Sequence, residues 1–262
     1  MSLSAEDRRR YSRHLAIPEF GEEGQAKLAA SSVLVVGTGG LGSPVLLYLA
    51  AAGVGRLGFV DDDVVELSNL QRQVLHSTAD LGRRKVDSAA DTLHALNPGI
   101  ELVRHDMRFS AETAETLLGD YDVIVTAVDN FPARFLLNDA CVLLRKTLVE
   151  GAILRFIGLA MTIRGGETAC YRCVFPEMPA TASVPSPADA GVFGPVAGTV
   201  GCIQACEVVK VVTGIGEPLY DRLLQFDAAE MTFQEVVLSR EPDCPVCGRE
   251  PAITSLAEAG RP

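Results

Sequence analysis

VLVVGTGGLGSPVLLYLAAAG, residues 33–53, decides the fold. Four apolar residues, Val33 to Val36, read as a buried strand of the parallel type. They run into Gly37-Thr38-Gly39-Gly40-Leu41-Gly42, and Ser43-Pro44 then opens an apolar run closed by Gly53. That is a helix with proline in its first turn and glycine after its end. A glycine loop between strand and helix places backbone N–H groups and a helix N-terminus where phosphate oxygens can bind. Gly37, Gly39, Gly40 and Gly42 are candidate nucleotide-binding residues. The loop is not a Walker A motif, because no Gly-Lys-Ser/Thr ends it.

Outward from this unit, strands alternate with helices. RLGFVD (56–61) is a second strand ending in an acid. Strands are also expected at 100–106, 121–129 and 147–153, with helices near 82–96 and 131–145. Residues 4–30 read as polar and helical. The order predicts an α/β fold with a doubly wound, Rossmann-like, mainly parallel sheet. After about residue 150 the pattern changes. GLAMTIRGG (158–166) alternates, as a strand with one exposed face does. Residues 176–195 carry five prolines and read as a long mobile loop, 198–214 as an apolar helix, and 223–240 as a hairpin. One domain is expected over 1–250, with an arm (1–30), a nucleotide-binding core (31–155), a zinc-clipped part (156–250) and a flexible tail (251–262).

Composition excludes several classes. The 262 residues are 48% hydrophobic and 22% charged, which is globular rather than disordered. A net charge of −11 argues against a nucleic-acid-coating surface. No uninterrupted apolar run of about 18 residues predicts a membrane span, and the charged N-terminus does not read as a secretory signal. A cytoplasmic location is expected.

The site residues follow the second strand. Asp61 can accept hydrogen bonds from ribose hydroxyls, and Asp63 joins it as a candidate. Ser68-Asn69-Leu70-Gln71-Arg72-Gln73 comes next, then Lys85, one of only four lysines. A dinucleotide dehydrogenase needs no cationic pair here. A triphosphate does, because adenylyl transfer builds negative charge on the α-phosphate and the leaving pyrophosphate. Arg72 and Lys85 suit that role, with Arg13 a third candidate. Asp129 ends the fourth strand at the sheet edge where ligands bind, and a carboxylate there can hold Mg²⁺. The alternatives are solvated charges at Arg72 and Lys85 and a helix cap at Asp129.

Seven cysteines include two C-x-x-C pairs, Cys170/Cys173 and Cys244/Cys247, with 70 residues between them. The set suits a tetrahedral Zn²⁺ site; a redox dithiol is the rival. Cys141, Cys202 and Cys206 read as small buried hydrophobes, and the four histidines as surface or packing residues. Arg155 reads as solvated or as facing a partner's tail.

Arg10-Tyr11-Ser12-Arg13, the Gly37–Gly42 loop, Ala51 to Gly55, Leu67 to Gln73, Gly82 to Lys85, Asn97-Pro98, Val128-Asp129-Asn130, Cys170-Tyr171-Arg172-Cys173 and Cys244-Pro245-Val246-Cys247-Gly248 occur in order. Together they resemble the MoeB/ThiF/HesA family, bacterial relatives of ubiquitin-activating enzymes, over about residues 5–250. The resemblance implies ATP- and Mg²⁺-dependent adenylation of the C-terminal glycine of a ubiquitin-like sulfur carrier. It matches Gly40, Asp61, Ser68 to Arg72, Lys85, Asp129 and Asn130 to nucleotide-binding positions. Asp129 matches the metal-binding acid, and the cysteine quartet structural zinc. Arg13 matches an arginine reaching the ATP of an opposite subunit, which implies a homodimer. Many members carry a loop cysteine where this chain has Pro187, flanked by Ser186, so covalent carrier transfer is in doubt while adenylation is not. No rhodanese-like domain is expected. The other readings are a nicotinamide-dependent oxidoreductase and a non-catalytic, zinc-stabilised carrier-binding dimer.

Overall fold

A computed structural model describes residues 3–179 and 190–261. The arm forms three short helices, α1 (Ala5–Arg10), α2 (Ser12–Leu15) and α3 (Gly21–Ala30). Tyr11 separates α1 from α2, and Ile17, Pro18 and Glu19 separate α2 from α3. Then come β1 (Ser32–Val36), α4 (Gly42–Ala52), β2 (Arg56–Val60), α5 (Lys85–Leu96) and β3 (Glu101–His105). Next are α6 (Ala111–Gly119), β4 (Val123–Thr126), α7 (Phe131–Leu143) and β5 (Thr147–Leu154). The chain continues through β6 (Ile157–Arg164), α8 (Tyr171–Val174), α9 (Gly194–Thr213), β7 (Arg222–Asp227) and β8 (Thr232–Val237).

One sheet has the order β3-β2-β1-β4-β5-β6-β7-β8. Pairing is parallel from β3 through β5 and antiparallel from β5 through β8. Strand side chains alternate between two cores. Val33, Val35, Leu57, Phe59, Val125 and Val149 face α4, α5 and α9. Leu34, Val36, Val60, Ile124, Leu148 and Ile163 face α6, α7 and the cysteine quartet. Strand order reverses between β1 and β4, and the crevice of a doubly wound sheet opens at such a point. Gly37 has φ +102°, and a Cβ on Gly42 would lie 2.0 Å from the Gly37 carbonyl oxygen, so both glycines are needed to turn β1 into α4.

Several expectations change. Strand β6 has no exposed face: Met161 and Ile163 enter one core, while Ala160 and Thr162 are buried on the other side, where Thr162 meets Glu207 of α9. Its alternation came from small and polar residues that are also buried. Residues 251–261 do not fray. Ile253 and Ala259 are buried, Gly260 N–H donates to Asp139 Oδ2 at 2.9 Å, and the Arg261 carbonyl accepts from Arg172 at 2.7 Å. Docking onto a buried ion pair holds them. The proline-rich stretch is shorter than expected, since Gly194 and Pro195 already belong to α9. Its centre, with Ser186, Pro187, Ala188 and Asp189, lies outside the described residues. Helix α9 is long and apolar enough to cross a membrane, yet it packs against β5 and β6, and its Gln204 and Glu207 are buried and hydrogen-bonded.

Candidate active site

A cavity of about 910 Å³ opens over the carboxyl ends of β1, β2 and β4. Gly37, Gly39 and Gly40 line one wall. Among the described residues, the Gly39 and Gly40 amides donate to no backbone or side-chain acceptor, although the Gly39 carbonyl is used by Ser43 N–H. Two free donors at a helix start make an anion cradle.

Asp61 leaves the end of β2 half-buried. Its Oδ2 accepts from the Thr38 amide at 2.8 Å and the Thr38 hydroxyl at 2.9 Å, and its Oδ1 from the Asp63 amide at 3.0 Å. Lys85, the first residue of α5, is only 5% exposed. Its ammonium lies 2.9 Å from Asp63 Oδ2 and 4.0 Å from Asp61 Oδ1. Arg72 borders the same cavity, with its Cγ and Cδ over Gly40 and one N–H to the Ser68 carbonyl at 3.1 Å. Neither cation is a freely solvated surface charge.

Asp129 lies on the rim and is exposed. The helix cap is its neighbour: Asn130 Oδ1 accepts from Ala133 N–H at 3.0 Å. Asp129 is thereby free of capping, and its carboxylate has no hydrogen-bonding partner among the described residues. Arg134 sets its backbone. Buried and ion-paired with Glu150, Arg134 donates to the carbonyls of Val128 at 2.9 Å and Gly151 at 2.8 Å. Away from the loop the cavity turns apolar, along Ile153, Leu154, Ile157, Phe175 and Val192.

On the far side of α7, the four thiol sulfurs of Cys170, Cys173, Cys244 and Cys247 lie within 4.8 Å of one another. Cys170 is 3.6 Å from Cys244 and 3.9 Å from Cys173, and Cys173 is 3.4 Å from Cys247. Tetrahedral zinc with bonds of about 2.3 Å sets sulfur–sulfur edges of about 3.8 Å. The spacing fits. Hydrogen bonding among the four thiols divides them: bonds to Cys170, then Cys247, pull Cys173 down to about 7 and bonds to Cys170, Cys173 and Cys247 pull Cys244 down, while Cys170 and Cys247, which donate in the same network, are pushed up. A bound metal would take all four as thiolates. Arg172, inside the first pair, makes a bidentate buried bond to Asp139 of α7 at 2.8 and 2.9 Å. The Cys170–Cys173 turn and the wall carrying Tyr171 are thus fixed to one helix.

The ThiF family matches residues 11–246. This chain belongs to the ThiF family. A sulfur carrier protein adenylyltransferase of Thermus thermophilus is 48% identical over 98% of this chain and 97% of its own length. A SAMP-activating enzyme E1 of Haloferax volcanii is 50% identical over 98% and 95%. The adenylyltransferase and sulfurtransferase MOCS3 of Bos taurus is 50% identical, but the chain spans only 57% of it. Among solved structures, E. coli MccB with MccA-N7isoASN superposes with a TM-score of 0.81 at 25% identity, covering 95% of this chain and 76% of that one. E. coli MccB with ATP gives 0.80 at 25% identity, covering 91% and 73%.

Within this ThiF-family fold the expected residues separate. Gly37, Gly39, Gly40, Asp61, Asp63, Arg72, Lys85, Asp129 and Asn130 border one cavity. Gly42 supports the turn from behind. Ser68, Asn69, Leu70 and Gln71 form a short 3-10 turn and its exit beside the cavity and do not line it. Arg13 is exposed on α2, away from its own chain's cavity, and Arg155 is exposed outside it. Cys141 is fully buried, but Cys202 is half-buried and Cys206 exposed, because α9 turns that stripe away from the sheet. Gln73, quoted above within its motif but given no role, lines the cavity, and sequence reasoning missed Arg108 and Arg134 on its wall. A buried arginine in an apolar helix start was the available signal for Arg134; Arg108 carried none.

Proposed function

We propose that this chain is an ATP-dependent adenylyltransferase that activates the C-terminal glycine carboxylate of a ubiquitin-like sulfur carrier. One observation carries the reading: two free loop amides, Arg72, Lys85 and an unengaged Asp129 meet at the polar end of a cavity whose other end is an apolar channel. Phosphate oxygens fit the amides and cations, and an extended Gly-Gly tail fits the channel. The tail's carboxylate oxygen bonds to the α-phosphorus as the bond to pyrophosphate breaks. No strong base is required, because a carboxylate is already deprotonated; positioning and charge stabilisation supply the rate. Arg72 and Lys85 neutralise the phosphates. Asp129 would hold Mg²⁺, which shares its oxygen ligands with phosphates and offsets their charge. The quartet would hold zinc in a structural role, distant from this chemistry. Relatives named as a carrier adenylyltransferase and a SAMP-activating enzyme, matched nearly end to end, support the substrate class. An arginine exposed on the arm, outside its own cavity, supports a homodimer in which Arg13 serves the second copy's nucleotide. A loop thiol at Pro187 is not needed for this step.

ATP–pyrophosphate exchange tests the reading. Exchange is expected only with a carrier bearing an intact terminal glycine. Equal exchange without carrier, or with the glycine removed, sinks it. An Asp129→Ala variant that exchanges at the wild-type rate removes the metal role.

A further inference from the structure

We propose that His76 is a positioning residue that sets the direction of the Gly39 amide, tying the phosphate loop to the helix that carries Lys85. The inference rests on the adenylation reading above. His76 is buried, with Nε2 3.1 Å from the Thr38 carbonyl oxygen and Nδ1 2.8 Å from Ser88 Oγ. A carbonyl can only accept, so the proton is assigned to Nε2, and the bare Nδ1 accepts from the Ser88 hydroxyl. Burial lowers the pKa of the ring and keeps it neutral, as this arrangement requires. The charges facing it are Lys85 of α5, Asp61 at the end of β2 and Asp80 of the Thr78–Asp80 turn.

The consequence lies in the peptide unit. The Thr38 carbonyl and the Gly39 N–H belong to the same trans peptide, so they point in opposite directions. Holding the carbonyl inward on His76 turns the Gly39 N–H outward to the cavity. The Thr38 amide and hydroxyl are both committed to Asp61 Oδ2. The Thr38 amide fixes the peptide before it on Asp61 and the Thr38 carbonyl fixes the peptide after it on His76, so both peptides flanking Thr38 are held. Were that peptide to flip, a carbonyl oxygen would face the phosphates in place of a donor. Ser88 lies one turn beyond Lys85 on α5, so the same imidazole fixes the loop relative to the lysine.

The paired variants His76→Gln and His76→Asn separate the two bonds. A glutamine amide reaches about as far as Nε2 and can still donate to Thr38; an asparagine stops near Nδ1, keeping Ser88 and losing Thr38. Expected for H76N is an ATP KM raised about tenfold or more, the size of one lost buried hydrogen bond, with kcat changed less. H76Q is expected within about threefold of wild type. Calorimetry with ATP, and with inorganic pyrophosphate as a bare probe, should show the same order. An H76N variant that loses thermal stability yet keeps wild-type ATP KM and affinity overturns the proposal. So does an H76Q variant as impaired as H76N. Wild-type protein without exchange refutes the adenylation reading alone, and pyrophosphate binding by the two variants still decides the role of His76.

Discussion

Lys85→Met removes the one buried ammonium at the phosphate end of the cavity. Its Nζ is 2.9 Å from Asp63 Oδ2, and a phosphate oxygen taking that place would bring the two charges to about 4 Å. At an effective dielectric of about 20, such a pair is worth about 4 kcal/mol, and the open side of the cavity roughly halves it. A loss of about 2–4 kcal/mol corresponds to a 30- to 900-fold fall in kcat/KM for ATP. Carrier-dependent ATP–pyrophosphate exchange measures it, with zinc content and Tm as checks on folding. Asp63 is the lysine's resting partner and is largely exposed, so Asp63→Asn frees the ammonium and removes a negative charge from the nucleotide's path. Its KM for ATP should be unchanged or lower. A folded K85M variant that keeps more than about a third of wild-type kcat/KM refutes the charge argument. Loss of activity in Asp63→Asn as deep as in K85M refutes the assignment of Asp63 as a displaceable partner.

The protein should carry one zinc per chain by elemental analysis, and Cys173→Ser should lower both metal content and Tm; full metal loss with an unchanged Tm would remove the structural role. Truncation after Glu250 deletes two hydrogen bonds to the Arg172–Asp139 pair, each worth about 1.5–3 kcal/mol, and should lower Tm by roughly 6–12 °C in calorimetry; an unshifted transition contradicts the docked tail. Burial lowers the pKa of both His76 and His105. The unfolded chain then binds protons more readily than the native one, so stability is fully present above about pH 6.5 and is lost as pH falls through the lower native values. Thermal melts across that range check the sign: acidification should lower the Tm of wild type more than that of a His76→Gln, His105→Gln double variant, and an equal or smaller loss in wild type would contradict it.

The parallel half of the sheet was legible because its signals are local. Val33 to Gly53 contain a strand, a turn and a helix with their own start and stop residues. Asp61, Lys85 and Asp129 sit at element ends that any doubly wound sheet gathers at one edge. What escaped depends on packing. Helix α6 is short, and only its placement beneath α7 makes it stable. The two faces of β6 cannot be told apart without knowing that α9 covers one and Tyr171 and its neighbours the other. Cys206 looked apolar in sequence because rotation about the α9 axis is set by the sheet. His76 sits in a polar stretch, and nothing within that stretch shows that a carbonyl from residue 38 and a hydroxyl from residue 88 will enclose it.

The cysteine clip also imposes an order in time. Cys173 and Cys247 are 74 residues apart, and their sulfurs must meet at 3.4 Å. At translation rates of about 5–20 residues per second, the first pair waits roughly 4–15 s for the second to leave the ribosome. Through that interval Cys170 and Cys173 are a half-site, able to bind a metal weakly or to be oxidised. With the quartet holding zinc as proposed, the nascent chain would need its first thiol pair kept reduced, and metal within reach, before it has any activity to protect.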